Sequence, residues 1–162
     1  MVTFRETSVV DAAAHTLLAE YFASRALTFP PSQGTYRTTF PDPTDFEPPR
    51  GIFLVVESAD LAGEPSDVGC GGIRRVDDGP TGPRYEVKHL WLQPHVRGSG
   101  FGRALLRELE DRARAFGGSE IVLDTNDSLE AAGGLYRSSG YASIPAYNDN
   151  PNATNWFGKT LD

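Results

Sequence analysis

The sequence predicts a single α/β domain in which a mixed sheet carries helices on its faces. Three observations lead there. Positions 14, 17, 18, 21, 22 and 25 recur at the i, i+3, i+4, i+7 spacing of a helix laid against a sheet. Two apolar runs, Gly51–Glu57 and Val68–Val76, flank a polar turn and read as a hairpin. From Tyr85 to Thr125 the order is alternating run, glycine loop, helical stripe and second apolar run, which makes a right-handed βαβ unit with parallel strands. The chain's 162 residues form one domain by size, 1–162, without repeat or low-complexity linker.

The elements follow in order. Val2 to Glu6 reads as a short strand, and Asp11 to Ala26 as the amphipathic helix. Residues 27–50 contain Pro30, Pro31, Pro41, Pro43, Pro48 and Pro49, which forbid a long helix or a central strand. A connection this long in a compact domain is often a lid or binding loop, and it is read here as a cover over an acceptor site with at most a helical turn or two. Gly51–Glu57 is a strand covered on both faces. Ala59 to Ser66 is a turn, and Val68–Val76 pairs back on the first strand. Glycines 69, 71 and 72 in it suggest a bulge or a close backbone approach. Cys70, the only cysteine, has no identifiable partner base and reads as a small core residue. Asp77 to Arg84 is a second connection, rich in glycine and proline.

Within Tyr85–Leu92, alternation sets Glu86, Lys88, Leu90 and Leu92 on one face and Tyr85, Val87, His89 and Trp91 on the other, unless a bulge shifts the register. Leu105, Leu106, Leu109, Ala113 and Phe116 form a helical stripe that stops at Gly117-Gly118. Glu120–Thr125 is a buried strand. Asp127 and Glu130 have the spacing of a capping box, which starts a short helix ended by Gly140. Tyr141–Ile144 opens a strand, Tyr147–Thr154 is a loop of turn residues, and Asn155–Leu161 is a closing strand.

Composition limits the function. A formal net charge of −7 argues against nucleic acid as a partner, because such binding depends on clustered Lys and Arg. An acidic surface favours a cationic acceptor such as an amine. No apolar run approaches the roughly 20 residues that span a bilayer, and the first residues are no signal peptide. A cytoplasmic protein without membrane attachment is expected. One cysteine excludes an intrachain disulfide, and His15, His89 and His95 show no metal-ligand spacing with it.

The chemistry concentrates in Leu90 to Leu106. Gly98, Gly100 and Gly102 stand at alternate positions between a strand and a helix. Glycines so placed let backbone N–H groups turn toward one point, and the helix start adds its unpaired N–H groups and the positive end of its dipole. The result is an anion site of the phosphate-binding kind. No Lys-Ser or Lys-Thr follows, so the P-loop pattern fails, and Arg103 stands where a dinucleotide fingerprint needs glycine. What remains is Arg97-Gly98-Ser99-Gly100-Phe101-Gly102, of the form Q/R-x-x-G-x-G/A. Here the sequence resembles the GCN5-related N-acetyltransferase (GNAT) superfamily, whose loop for the pyrophosphate of acetyl-coenzyme A has that form. Ala131-Ala-Gly-Gly-Leu-Tyr-Arg-Ser-Ser-Gly-Tyr141 is similar to the family's A-x-x-L-Y-x-x-x-G-F/Y signature.

The resemblance covers nearly the whole chain and implies a single GNAT-like domain with a mostly antiparallel mixed sheet. It also implies acetyl transfer from acetyl-coenzyme A to a primary amine of a small molecule or peptide by direct attack. Gly98, Ser99, Gly100, Phe101, Gly102 and Arg103 would hold the pyrophosphate through backbone N–H groups, with Arg97 adding charge. Leu90, Trp91 and Leu92 would pair with the pantetheine arm as a pseudo-strand and present an N–H to the thioester oxygen. Tyr136 matches the tyrosine that protonates the departing thiolate. Glu86 is the best-placed base for the amine, directly or through water, and His89 is a weaker one. Tyr147, Asn148 and Asp149 lie in a loop that the resemblance places near the acceptor. One departure stands out: Leu129 occupies a place where many members carry a cofactor-holding asparagine, with Asn126 as its candidate substitute. The rival readings are an acyl-coenzyme A sensor without efficient chemistry and a transferase using a larger acyl donor. A homodimer is compatible with the sequence.

Overall fold

The computed structural model describes residues 1–162. Its strands are β1 (Thr3–Glu6), β2 (Gly51–Ala59), β3 (Pro65–Gly79), β4 (Gly82–Leu92), β5 (Glu120–Thr125), β6 (Ala142–Ser143) and β7 (Asn155–Thr160). Its helices are α1 (Ala12–Thr28), α2 (Phe101–Ala115) and α3 (Glu130–Ser138). The strands make one sheet in the order β1-β2-β3-β4-β5-β7-β6. Every pairing is antiparallel except β4 with β5, the pair joined by the α2 crossover.

Each sheet face buries its own cluster. Ile52, Leu54, Ile73, Tyr85, Val87 and Ile121 meet Leu105, Leu106 and Leu109 of α2 and Tyr136 of α3. Phe53, Val55 and Cys70 meet Leu17, Leu18 and Phe22 of α1, with Phe46 from the connection that follows. Alternation along β2 therefore feeds two cores, as a strand apolar on both faces should. Cys70 is fully buried in the α1-side cluster, and burial raises its thiol pKa, which keeps it inert.

Four expectations change. The second hairpin is tight: β3 runs on to Gly79 and β4 begins at Gly82, so most of Asp77–Arg84 is strand. The short helix starts at Glu130, and no capping box forms. Leu129 is its cap and gives no side-chain hydrogen bond, while the turn before it closes through Asn126, whose Oδ1 accepts from Ser128 N at 3.0 Å. The strand after α3 shrinks to Ala142 and Ser143. Last, the bulge that Gly69, Gly71 and Gly72 suggested is present, and it breaks the plain alternation of β4. Gly72 pairs with Lys88 and Cys70 with Trp91, so His89 and Leu90 together oppose Gly71, and His89 takes a left-handed φ of 58°. Beyond the bulge the faces exchange. Glu86 and Lys88 share the α1 side with His89 and Trp91, while Tyr85, Val87, Leu90 and Leu92 face α2 and α3.

Residues 29–50 fold as coil with two short 3-10 turns, Pro31–Gln33 and Pro43–Phe46. They are tied across to the loop before β7: Arg37 N donates to Asn152 Oδ1 at 3.0 Å, and Asn152 Nδ2 donates to Arg37 O at 2.8 Å. No helix is long and apolar enough to cross a membrane.

Candidate active site

The site begins where β4 and β5 part. Parallel pairing holds only from Arg84 to Glu86 on β4, against Glu120 to Val122 on β5. After that, β4 continues to Leu92 and β5 to Thr125 without pairing with each other. A parallel pair that splays leaves a wedge with bare strand edges. Such an edge carries N–H and C=O groups that an extended ligand can satisfy.

Past β4 the backbone turns into an anion cradle. Gly98 and Gly100 have φ of 79° and 88°, the left-handed region that side chains with a Cβ resist. A Cβ at either would meet no protein atom within 4 Å, so their surroundings are open. The first helical bond of α2 runs from Ala104 N to Gly100 O, and the backbone N–H groups from Gly98 to Arg103 donate nowhere within the protein. Free amides at a helix start are what a pyrophosphate requires, so the residues present fit coenzyme A. Gly102 differs from the other two. It lies inside the first turn of α2, where a Cβ would come within 3.3 Å of Leu135.

The two arginines of the loop brace it from outside. Arg97 donates from Nε to Leu92 O at 3.0 Å and stacks over the Trp91 ring at 4.9 Å. Arg103 reaches α3, donating to Ser138 O at 3.2 Å and Ser138 Oγ at 2.9 Å. Trp91 is held in turn by α1, its Nε1 donating to Glu20 Oε1 at 3.2 Å. Asn126 is fully buried, and its Nδ2 donates to Gln33 Oε1 at 2.6 Å and Asn152 O at 3.1 Å. Its side chain thus ties three loops together.

On the α1 side the wedge opens into a cleft of about 560 Å³ under the 29–50 segment, lined by α1, β4, β5, α3 and the loop before β7. Tyr136 lines it and is 6% exposed, its ring packed on Tyr141 and Phe157. Its hydroxyl makes no hydrogen bond inside the protein. Burial, with a smaller contribution from Asp124, pushes its pKa up to about 12, so it is a neutral donor. His89 also lines the cleft, edge-on to Tyr21 and Phe22. Burial, then the nearby Lys88 and Arg74, push its pKa down to about 3. The imidazole is uncharged at neutral pH and is a poor base.

Glu86 sits beneath this floor, 1% exposed. It accepts from Arg74 Nε at 3.0 Å, Tyr147 Oη at 2.6 Å and Asn148 Nδ2 at 3.4 Å, and lies 3.6 Å from Lys88 Nζ. Lys88 also meets Asp124 at 3.3 Å, and Asp124 accepts from Asn148 Nδ2 at 2.7 Å and Asn150 Nδ2 at 3.2 Å. Two carboxylates thus face two cations, and both carboxylates accept hydrogen bonds from several side chains, the condition under which buried charges are tolerated. Of the two carboxylates, Asp124 lines the cleft and Glu86 does not. Tyr147 packs under Arg84, and burial followed by the Glu86 charge raises its pKa. Asp149 is exposed at the rim.

The resemblance seen in the loop and the Leu-Tyr segment extends to the whole pattern. A model of the acetyltransferase (GNAT) family matches residues 14–141. The chain belongs to the GNAT family. Among curated GNAT relatives, the IAA acetyltransferase of Azospirillum brasilense is 43% identical over 46% of this chain and 47% of its own. The N-alpha-acetyltransferase RimI of Mycobacterium tuberculosis is 42% identical over 48% of this chain and 46% of its own. The chain thus spans about half the length of these two relatives. A Klebsiella pneumoniae structure described as an acyl-CoA N-acyltransferase is 26% identical, with a TM-score of 0.74 over 100% of this chain and 99% of that one. A GNAT acetyltransferase of Staphylococcus aureus shares the fold at a TM-score of 0.74 and 15% identity, over 100% of both chains.

For a GNAT chain the structure brings Gly98–Arg103, Leu90–Leu92 and Tyr136 around one wedge, and Asn148 and Asp149 around the cleft. Sequence reasoning passed over Asp124, Lys88 and Arg74, which hold Glu86 or line the cleft. It also passed over Arg25 on α1. The signal for Arg25 was visible: it is a charged residue at the last position of a stripe whose other members are apolar or aromatic.

Proposed function

We propose that this chain is an N-acetyltransferase that moves the acetyl group of acetyl-coenzyme A to a primary amine of a small molecule or peptide. One observation carries the reading: free amides at the start of α2 continue into the bare edge of β4, and the wedge at that edge opens into a cleft lined by an unpartnered tyrosine hydroxyl. Two ligands can therefore meet from opposite sides at the bulge. When bound, acyl-coenzyme A supplies the activated thioester.

The residues divide the remaining work. Gly98, Ser99, Gly100, Phe101, Gly102 and Arg103 bind through backbone N–H groups, and the bulge at His89 and Leu90 turns the edge of β4 toward the wedge. Tyr136 donates a hydrogen bond to the departing sulfur. A phenol near pKa 12 facing a thiol near 8.5 keeps most of its proton, so Tyr136 stabilises the thiolate more than it neutralises it. Glu86 is the proposed base, reached through water or past Asp124, because its carboxylate does not line the cleft. The full engagement of Glu86 is the observation that favours the rival reading, a sensor that binds acyl-coenzyme A without efficient chemistry. The N-alpha-acetyltransferase relative supports a peptide amine as one acceptor class, and the roof of residues 29–50 over the cleft supports a small one.

The test is coenzyme A release from acetyl-coenzyme A over a panel of small amines and peptides, with cofactor affinity measured in parallel. Turnover on at least one amine is expected. Tight cofactor binding with no turnover on any of them would establish the sensor instead.

A further inference from the structure

The acceptor cleft holds one buried charge that no carboxylate in the protein answers. Arg25 is 8% exposed and lines the cleft from the last turn of α1. Its guanidinium lies 5.1 Å from the centre of the Tyr36 ring, its Nη1 has no hydrogen-bond partner, and no carboxylate pairs with it. The contrast with its neighbours is direct. Arg74 is paired with Glu86 and Lys88 with Asp124, each at 3.3 Å or less. A guanidinium withdrawn from water needs an anion, and stacking on one ring returns only part of what desolvation costs.

Its position fits an acceptor that enters by this route. Tyr21, one helical turn before Arg25, meets the ring of His89 at the bulge with centroids 5.6 Å apart. Residues four apart on a helix lie about 5–6 Å apart at Cβ. An anion on Arg25 therefore sits about one turn from the bulge. Arg37 is a second cation without an ion pair, exposed at the rim, while Asp42, Asp45 and Asp149 line the same cleft. One buried cation with acids around the opening suits a single negative charge on a molecule that also carries an amine. A dianion would be repelled by those acids.

We propose that the acceptor amine bears a carboxylate that Arg25 holds through its planar fork of N–H groups. The proposal rests on the N-acetyltransferase reading and reverses the sign that the chain's net charge suggested. The carboxylate is either that of a free amino acid or an acidic side chain near a peptide's N-terminus.

The assay compares α-, β- and γ-amino acids, each beside its carboxamide, and short peptides with Asp or Asn as second residue. Each is measured for turnover in wild type, Arg25→Gln and Arg25→Lys. Losing one charge-assisted interaction corresponds to about 10- to 150-fold, so carboxylates should exceed their amides by that factor in kcat/KM. Arg25→Gln should erase the gap through KM while coenzyme A affinity holds, and Arg25→Lys should restore part of it. A preference among the amino acids assigns the free molecule, and one confined to Asp over Asn peptides assigns the peptide.

A second readout needs no turnover: N-acetyl amino acids or N-acetyl-Asp peptides should raise the melting temperature of wild type, and their amides should not. Amides as good as acids in both readouts, or a gap that survives Arg25→Gln, would overturn the proposal. Absence of turnover together with carboxylate-specific stabilisation would overturn only the transferase reading.

Discussion

Placing a side chain at Gly100 separates the backbone's demand for glycine from the ligand's. With φ at 88° the position strains any L-residue, and a β-branched one most. Strain of this kind costs about 1–3 kcal/mol, so Gly100→Val should lower the melting temperature by about 2–12 °C in a domain of this size. Nothing in the protein lies within 4 Å of the new Cβ, so no clash adds to that loss. Asparagine tolerates left-handed backbone better than most residues, and Gly100→Asn should lose no more than about 4 °C. Both variants fill the space in front of the free amides. If two charge-assisted hydrogen bonds to the pyrophosphate are lost at about 1.5–3 kcal/mol each, affinity for coenzyme A falls by about 10²- to 10⁴-fold. Calorimetric titration with coenzyme A reads the affinity, and a thermal melt of the same sample reads the fold. Gly100→Asn with a near-normal melt and unaltered affinity would refute the placement of the pyrophosphate at this loop.

Three further substitutions test other parts of the site. Tyr136→Phe should slow turnover by about 10- to 150-fold, the value of a hydrogen bond to a developing charge, while coenzyme A affinity and melting temperature hold; an unchanged rate removes Tyr136 from the reaction. Glu86→Gln leaves Arg74 and Lys88 short of a partner; because Arg74 is 36% exposed, the cost is about 2–3 kcal/mol in urea unfolding, below that of a fully buried pair. Equal stability would show that the cluster is not structural. For His89, folding lowers the pKa from 6.5 to about 3, so the unfolded chain binds the proton first and stability drops as pH falls from 6.5 toward 3. From pH 7.5 to 5.0 wild type should lose about 2 kcal/mol more than His89→Asn, and equal losses would show that His89 is protonated in the folded state.

How far the sequence could be read depended on whether a feature is local. The α2 stripe, the glycine loop and the apolar run of β2 are each written within a dozen or so residues, and all three form where periodicity and glycine spacing place them. The β4 bulge is not local. The glycines of β3 hint at it, but it forms where Gly71 alone faces two residues of β4, and that register cannot be read from either strand alone. The apparent capping box failed for a related reason. Asn126 caps the turn first and, being held by Gln33 and Asn152, fixes a start three residues beyond Asp127. Asp77–Arg84 looked like a loop because of its prolines and glycines, yet Pro83 and Gly82 are accommodated at the start of β4, where a strand tolerates them.

The two halves of the site differ in the same way. The cofactor half is made of backbone, so its signature is the absence of side chains at fixed spacing, and glycines display that in one dimension. The acceptor half is made of side chains from α1, β4, β5 and two loops, which converge only in three dimensions. Net charge was the only acceptor signal available from composition, and it points the wrong way at short range. A charge of −7 spread over the chain is screened beyond about 8–10 Å, whereas Arg25 acts at contact in a cleft where every buried acid already has a partner. A ligand group in the cleft therefore meets Arg25 before it meets the average field. Acceptor choice should accordingly vary little with ionic strength for the buried carboxylate contact. Encounter rates, which depend on the exposed Asp42, Asp149 and Arg37 at the rim, should vary more. A salt titration of kcat/KM for a carboxylate and amide pair separates the two: both rates shift together, and their ratio stays nearly constant if Arg25 sets the choice.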